Sequence, residues 1–222
     1  PSLKVAFEYD GMIWHSDRYR VDANYHLKKT EECANKGIKL YHIFEYEWLN
    51  KREIVKRKIE QILGFVNDEN NILNECNIME INEEEAKEFN ERYNLQGHII
   101  SSLYIGMYRN NELKSMLSLQ KENNNKWRVV RFTNNVNNNL IVNSIINYFI
   151  DKYKPNKIEA YEDRRWLANS NDSIYRRTGF ELVDIIPPDY GYTRGQNDYI
   201  NKEKLKDCHL SNDYYRIYDC GQ

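Results

Sequence analysis

The sequence predicts an α/β protein in two parts, and three observations carry this. Patterns of strand and helix period alternate up to Gly64. A polar stretch, Asn67–Asn74, then interrupts them. Beyond it, strands and helices resume around Asn110-Asn111, a two-residue hairpin signal. The expected division is 1–66 and 75–222.

In the first part, Leu3–Tyr9 is β-rich and stops at Gly11. Tyr25–Lys36 reads as a helix with Gly37 as its stop, and Ile38–Phe44 as a strand. Lys51–Leu63 is an amphipathic helix carrying Ile54, Val55, Ile59, Ile62 and Leu63 on its apolar side. In the second part, a strand over Asn77–Ile81 precedes a helix over Glu83–Tyr93. Leu103–Arg109 and Glu112–Leu119 form the hairpin, and Trp127–Thr133 adds a strand. A helix over Leu140–Tyr153, a strand over Lys157–Tyr161, a short helix over Asp172–Arg177 and a strand over Phe180–Ile186 complete the reading.

Composition narrows the classes. The 222 residues are 41% hydrophobic, enough for real cores, and 30% charged, which suits a soluble surface. No apolar run approaches the ~20 residues of a membrane-spanning helix. No signal peptide is visible, so a cytoplasmic location, in a bacterium or a phage-infected cell, is expected. The cysteines at 33, 76, 208 and 220 are far apart and form no C-x-x-C pair, so free thiols are expected rather than a zinc site. A net charge of −2 argues against a strongly basic nucleic-acid coat, but a local basic face remains compatible with it.

The segment Phe7-Glu8-Tyr9-Asp10-Gly11 concentrates the chemistry. Glu8 and Asp10 are two apart on a strand and share a face. Paired carboxylates repel unless a cation or donor lies between them, and Mg²⁺ or Mn²⁺ suits such an oxygen pair. His15, just after the turn, is placed to carry a proton or hold a phosphate. His26 and Lys29 share a helix face, from which the lysine can steady a phosphate or a water. A solvated strand edge and an ordinary helix face compete with this reading. His42 reads as a packed core histidine.

The run Phe7–Ser16, with Tyr25–Thr30, Cys33, Gly37-Ile38 and His42–Trp48, resembles the motifs of phage and intron-associated homing endonucleases with the very-short-patch-repair fold. That resemblance implies a restriction-endonuclease-like core that cuts double-stranded DNA with a divalent metal. It implies metal at Glu8 and Asp10, catalytic roles for His15, His26 and Lys29, and a stacking wedge at Trp14. It also implies a metal-binding aspartate on a strand preceding Pro1.

The order of elements in the second part resembles the GNAT acyltransferase fold, with Ser101–Leu113, Arg131-Phe132, Tyr161–Trp166, Tyr175–Phe180 and Tyr214–Gly221 as the similar blocks. Such a fold holds the pyrophosphate of acetyl-CoA on the amides of a glycine-containing turn at a helix start. Asn134–Ser144 has no glycine, which predicts a poor acetyl-CoA site. Arg164, Arg165, Arg176 and Arg177, with Trp166 stacking, are then candidates for DNA contact, or else partners of Glu162 and Asp163. The reading that results is a metal-dependent DNA endonuclease with a GNAT-like part assisting DNA binding. The alternatives are an acyltransferase with a degenerate nuclease half, and a non-catalytic DNA- or protein-binding module.

Overall fold

The computed structural model describes residues 3–65, 76–136, 141–167, 172–202 and 213–222. It is an α/β fold with a mixed sheet, divided into two compact units. Unit 1 comprises residues 1–55, 162–173 and 181–222; unit 2 comprises 56–161 and 174–180. The boundary expected at Asn67–Asn74 lies outside the described residues, as do Cys208 and Asn137–Asn139.

Unit 2 is built on a five-stranded sheet. In chain order its elements are β3 (Cys76–Glu80), α4 (Glu83–Tyr93), β4 (Leu103–Arg109), β5 (Glu112–Lys121), β6 (Lys126–Asn134), α5 (Ile141–Tyr153) and β7 (Lys157–Ala160). The strands lie in sequence order, antiparallel from β3 to β6, with β7 parallel to β6. Alternation divides the side chains between two faces. Ile105, Met107, Leu117 and Leu119 pack with Ile141, Val142, Ile145, Ile146 and Phe149 of α5. Tyr104, Leu113 and Met116 pack with Ala86 and Phe89 of α4. Asn110 and Asn111, at φ 51° and 62°, make the hairpin turn that their type favours. Asn82 caps α4, accepting from the Glu85 amide at 2.9 Å, and Glu83, Glu84 and Glu85 suit that helix's positive end.

Unit 1 begins with β1 (Val5–Asp10), α1 (Tyr25–Asn35), β2 (Lys39–Phe44) and α2 (Glu45–Asn50), followed by α3 (Arg52–Ile62), which starts within it. It ends with β8 (Tyr190–Gly195), β9 (Asp198–Asn201) and β10 (Tyr215–Tyr218). β1 and β2 run parallel, with Glu8 beside His42 and Asp10 beside Phe44. α1 crosses between them and stops at Gly37, whose φ of 69° lets its amide reach Ala34 O (2.8 Å) and the Ile38 amide reach Cys33 O (2.9 Å). β10, β8 and β9 make a separate antiparallel sheet.

Several expectations are corrected here. A restriction-endonuclease-like core confined to the first part is not what the described residues form: β1 pairs only with β2, and the unit that holds them is completed by residues 162–173 and 181–222. Phe180–Ile186 is not a strand. It has no regular structure, and Leu182, Val183 and Ile185 are exposed. Its apolar alternation misled because no neighbouring strand covers it; Ile186 alone pairs with the backbone of Gln222, through bonds of 2.7 and 3.1 Å. The short helix expected over Asp172–Arg177 is a single 3₁₀ turn, Arg176–Thr178, stopped at Gly179. Strands β8–β10 were not expected. They are short, rich in tyrosine, and lack a clean period-two pattern.

Candidate functional site

The most polar buried cluster among the described residues lies in unit 1, where β1, β2 and α1 meet the chain around β10. Asp10 ends β1 and is fully buried. Its Oδ2 accepts from His42 Nδ1 at 2.9 Å. Its Oδ1 lies 3.1 Å from His15 Nδ1 and 3.6 Å from His26 Nε2, yet makes no hydrogen bond. The amide of His15 donates to Gly11 O at 3.0 Å, closing a turn that swings its ring back over β1. His15 Nδ1 and His26 Nε2 are 3.1 Å apart, and their rings stack with planes 7° from parallel.

The second layer is as well ordered. His26 Nδ1 donates to the backbone carbonyl of Tyr218 at 2.8 Å. A carbonyl only accepts, so Nδ1 carries the proton and Nε2 keeps its lone pair toward Asp10 and His15. Thr30 Oγ1 donates to His26 O (3.0 Å) and lies 2.9 Å from His42 Nε2. Tyr218 is brought here by β10, which is tied to the loop after β1. The Arg216 amide and Nε bind Asp17 at 2.9 and 2.8 Å, and Ser16 bridges Ile217.

Burial governs the titration of these groups. It pushes His26 down to about 3, with help from the neighbouring His42 and His15. Burial likewise raises Asp10, against the lowering pull of His42. Lys29 forms a close ion pair with Glu8 and lies 3.4 Å from the Tyr25 hydroxyl. Partial burial pulls Lys29 down, but the Glu8 carboxylate outweighs it and the net shift is upward. Burial raises the Cys220 thiol, 3.7 Å from Thr30 Oγ1, to about 12.

The residues expected to form the site therefore gather only in part as expected. Glu8, Asp10 and His15 are within ligand reach of one another, as are Asp10, His26 and His42. Glu8 is engaged by Lys29 rather than open beside Asp10. His42 is the fully buried histidine expected, and it also hydrogen-bonds Asp10. Sequence reading missed that bond, although parallel pairing of the two strands sets His42 beside Glu8.

The residues expected to contact DNA are scattered. Trp14 is 67% exposed and packs against Tyr19, with ring centroids 4.7 Å apart. Arg164 lies 3.8 Å from Glu31 and donates to Cys220 O. Arg165 is buried against Glu47 and Asp163, so its charge is already matched within unit 1. Trp166 is half-buried in the same 3₁₀ turn. Arg176 and Arg177 are exposed and belong to unit 2.

Comparisons with known proteins bear on the family. No family model and no curated protein matches the sequence. Among the solved structures similar to it are two from staphylococci. One is a probable acetyltransferase from Staphylococcus epidermidis, 15% identical, with a TM-score of 0.40 over 64% of this chain and 97% of its own. The other is an N-acetyltransferase from Staphylococcus aureus, 14% identical, with a TM-score of 0.38 over 65% of this chain and 97% of its own.

The first is described as a probable acetyltransferase and the second as an N-acetyltransferase; neither is described as a nuclease. The expectation of a homing endonuclease with a very-short-patch-repair core, acting as a metal-dependent DNA endonuclease, is corrected on the fold: among the described residues β1 pairs only with β2, and no separate nuclease core is formed. The physical reason is local as well: the two carboxylates do not form the expected open pair, because Glu8 is engaged by Lys29. Among the described residues no helix is long and apolar enough to cross a membrane.

Proposed function

We propose that unit 2 is an acyltransferase-type unit that takes an acyl thioester where β6 and β7 part. The observation that carries this reading is the pairing of those two strands. β7 accompanies β6 only from Lys126 to Val129, whereas β6 runs on to Asn134. The parting coincides with an irregularity on the other side of β6. Leu119 faces Val129 and Ser118 faces Arg131, so Val130 is an extra residue. Such a bulge bends a strand and increases its twist, here at the point where β7 is left behind.

In open α/β sheets, the crevice beyond the carboxyl ends of diverging parallel strands is where ligands bind. α5 starts at that same end, and its N-terminal dipole favours an anion there. The extended arm of a pantetheine thioester carries amides that can pair with a strand edge, as added strands do. The similarity to acetyltransferases agrees in kind with this reading. The glycine-free stretch 134–144 argues that the pyrophosphate is held less well than the arm.

Calorimetric titration of the full chain with acetyl-CoA and with acetyl-pantetheine tests the proposal. Both are expected to bind, acetyl-CoA by no more than about tenfold better, because the stretch 134–144 has no glycine to let backbone amides close on the pyrophosphate. Failure of both ligands to bind at millimolar concentration would sink the reading.

A further inference from the structure

The geometry points to a site for one divalent transition-metal ion in unit 1, held by Asp10 Oδ1, His15 Nδ1 and His26 Nε2. This is a different site from the thioester cleft, and does not depend on it. The three atoms form a triangle with edges of 3.1, 3.1 and 3.6 Å. An ion bound at ~2.0–2.1 Å by each ligand sets adjacent ligands ~3.3–3.4 Å apart in a tetrahedral shell and ~2.9–3.0 Å apart in an octahedral one. The two shorter edges, 3.1 Å each, lie between those values, and the third, 3.6 Å, lies just above them.

Two further observations point the same way. Asp10 Oδ1 is fully buried without a hydrogen bond, although it faces both imidazoles. A buried acceptor left unmade is costly, and a cation removes that cost. The outer partners also match those of metal ligands. His26 is held through its far nitrogen by the Tyr218 carbonyl, so that the lone pair on Nε2 faces inward. The other oxygen of Asp10 is held by His42, which Thr30 braces in turn. Ligating imidazoles and carboxylates are oriented in this way.

Two imidazoles with one carboxylate select the zinc-like ions over Mg²⁺, which prefers an all-oxygen shell and keeps its waters. Glu8, committed to Lys29, stays outside the first shell. The His15 side chain is 17% exposed, so the remaining coordination positions open toward solvent and would carry water.

Zinc titration of the full, chelator-stripped chain by calorimetry tests the assignment, with Co²⁺ as a visible probe of the ligand field. The expected result is one ion per chain and a Co²⁺ d–d band displaced from that of the aqueous ion, its intensity reporting the coordination geometry. His15→Ala and His26→Ala should each weaken zinc binding at least about tenfold, the lower end of what even outer-shell losses cost. Circular dichroism checks that each variant is folded. If His26→Ala unfolds, His15→Ala decides, because its ring is partly exposed. The proposal is overturned if the folded protein binds no zinc, if His15→Ala binds it as tightly as the parent, or if millimolar Mg²⁺ displaces it.

Discussion

Glu47 is a carboxylate at 1% exposure, and Arg165 is the cation that answers it. Arg165 Nη2 donates to Glu47 at 3.0 Å and to Asp163 at 2.6 Å, and the guanidinium lies 4.1 Å over the Phe44 ring. Arg165→Met would leave Glu47 with only the Phe44 amide, at 3.2 Å, and the Tyr46 hydroxyl, at 3.5 Å. Removing one partner of a buried pair typically costs ~3–5 kcal/mol, because the remaining charge is stranded. Asp163 is 20% exposed and can rehydrate, so it adds little to that loss.

Adding Glu47→Gln removes the stranded charge, and the double variant should recover at least ~2 kcal/mol, within the range of coupling seen between contacting residues. The loss should also depend on pH. Burial raises the Glu47 pKa even with Arg165 in place, so the folded state holds its proton more tightly than the unfolded chain. The carboxyl's contribution is greatest below its ordinary value of 4.5 and is lost as pH rises through the raised folded value. Without Arg165 that window extends upward, so the variant and its parent should converge toward pH 4–5 and diverge at about pH 7. Urea unfolding at both pH values measures this. Equal losses at the two pH values, or a double variant no better than Arg165→Met, would refute the reasoning.

Two further outcomes are expected. Gly221 has φ of 83°, and a Cβ there would stand 2.1 Å from the Ile186 carbonyl, so Gly221→Ala should cost at least ~2 kcal/mol in urea unfolding; a loss below ~0.5 kcal/mol would show that the backbone adjusts freely. Cys220 is buried with its thiol pushed up to about 12, so at neutral pH an alkylating reagent should modify the partly exposed Cys33 and Cys76 in the folded protein and leave Cys220 untouched until denaturant is added; peptide mass mapping reads this directly, and early labelling of Cys220 would count against its burial.

Much of unit 2 was legible in the sequence because local signals agree with the tertiary environment there. Asn82 and the acidic turn after it start α4 at Glu83, and Asn110-Asn111 fixes the hairpin between β4 and β5. The site in unit 1 was legible in its members and not in its bonding. Glu8, Asp10, His15, His26 and Lys29 stand out by type, but which of them share a proton or a charge depends on register and on distant backbone. His26 is held by a carbonyl 192 residues away, a partner that no local pattern announces. His42 sits in an apolar strand and was assigned to the core for that reason. The motif resemblance in the first part carried residue types into a nuclease reading that the comparisons do not support. Arg165 reads from the sequence as a phosphate contact or a partner of Asp163; the structure has the Asp163 pair, and adds Glu47, which is too far off in sequence to be read.

The interleaving of the two units has a consequence for the order of assembly. Unit 2 draws nearly all its residues from one continuous stretch, 56–161, so its hairpin and helices can close over short loops. Unit 1 must instead wait for 162–173 and 181–222, and the bond from His26 to Tyr218 spans most of the chain. Long-range closure is slow, and a chain emerging from the ribosome presents it last. Until it happens, β1, α1 and β2 can already join Asp10 to His42, while His26 lacks the Tyr218 carbonyl that fixes its ring. The polar cluster thus forms in two stages: its bonds among β1, α1 and β2 are local, and the bond from His26 to Tyr218 closes only when β10 is in place.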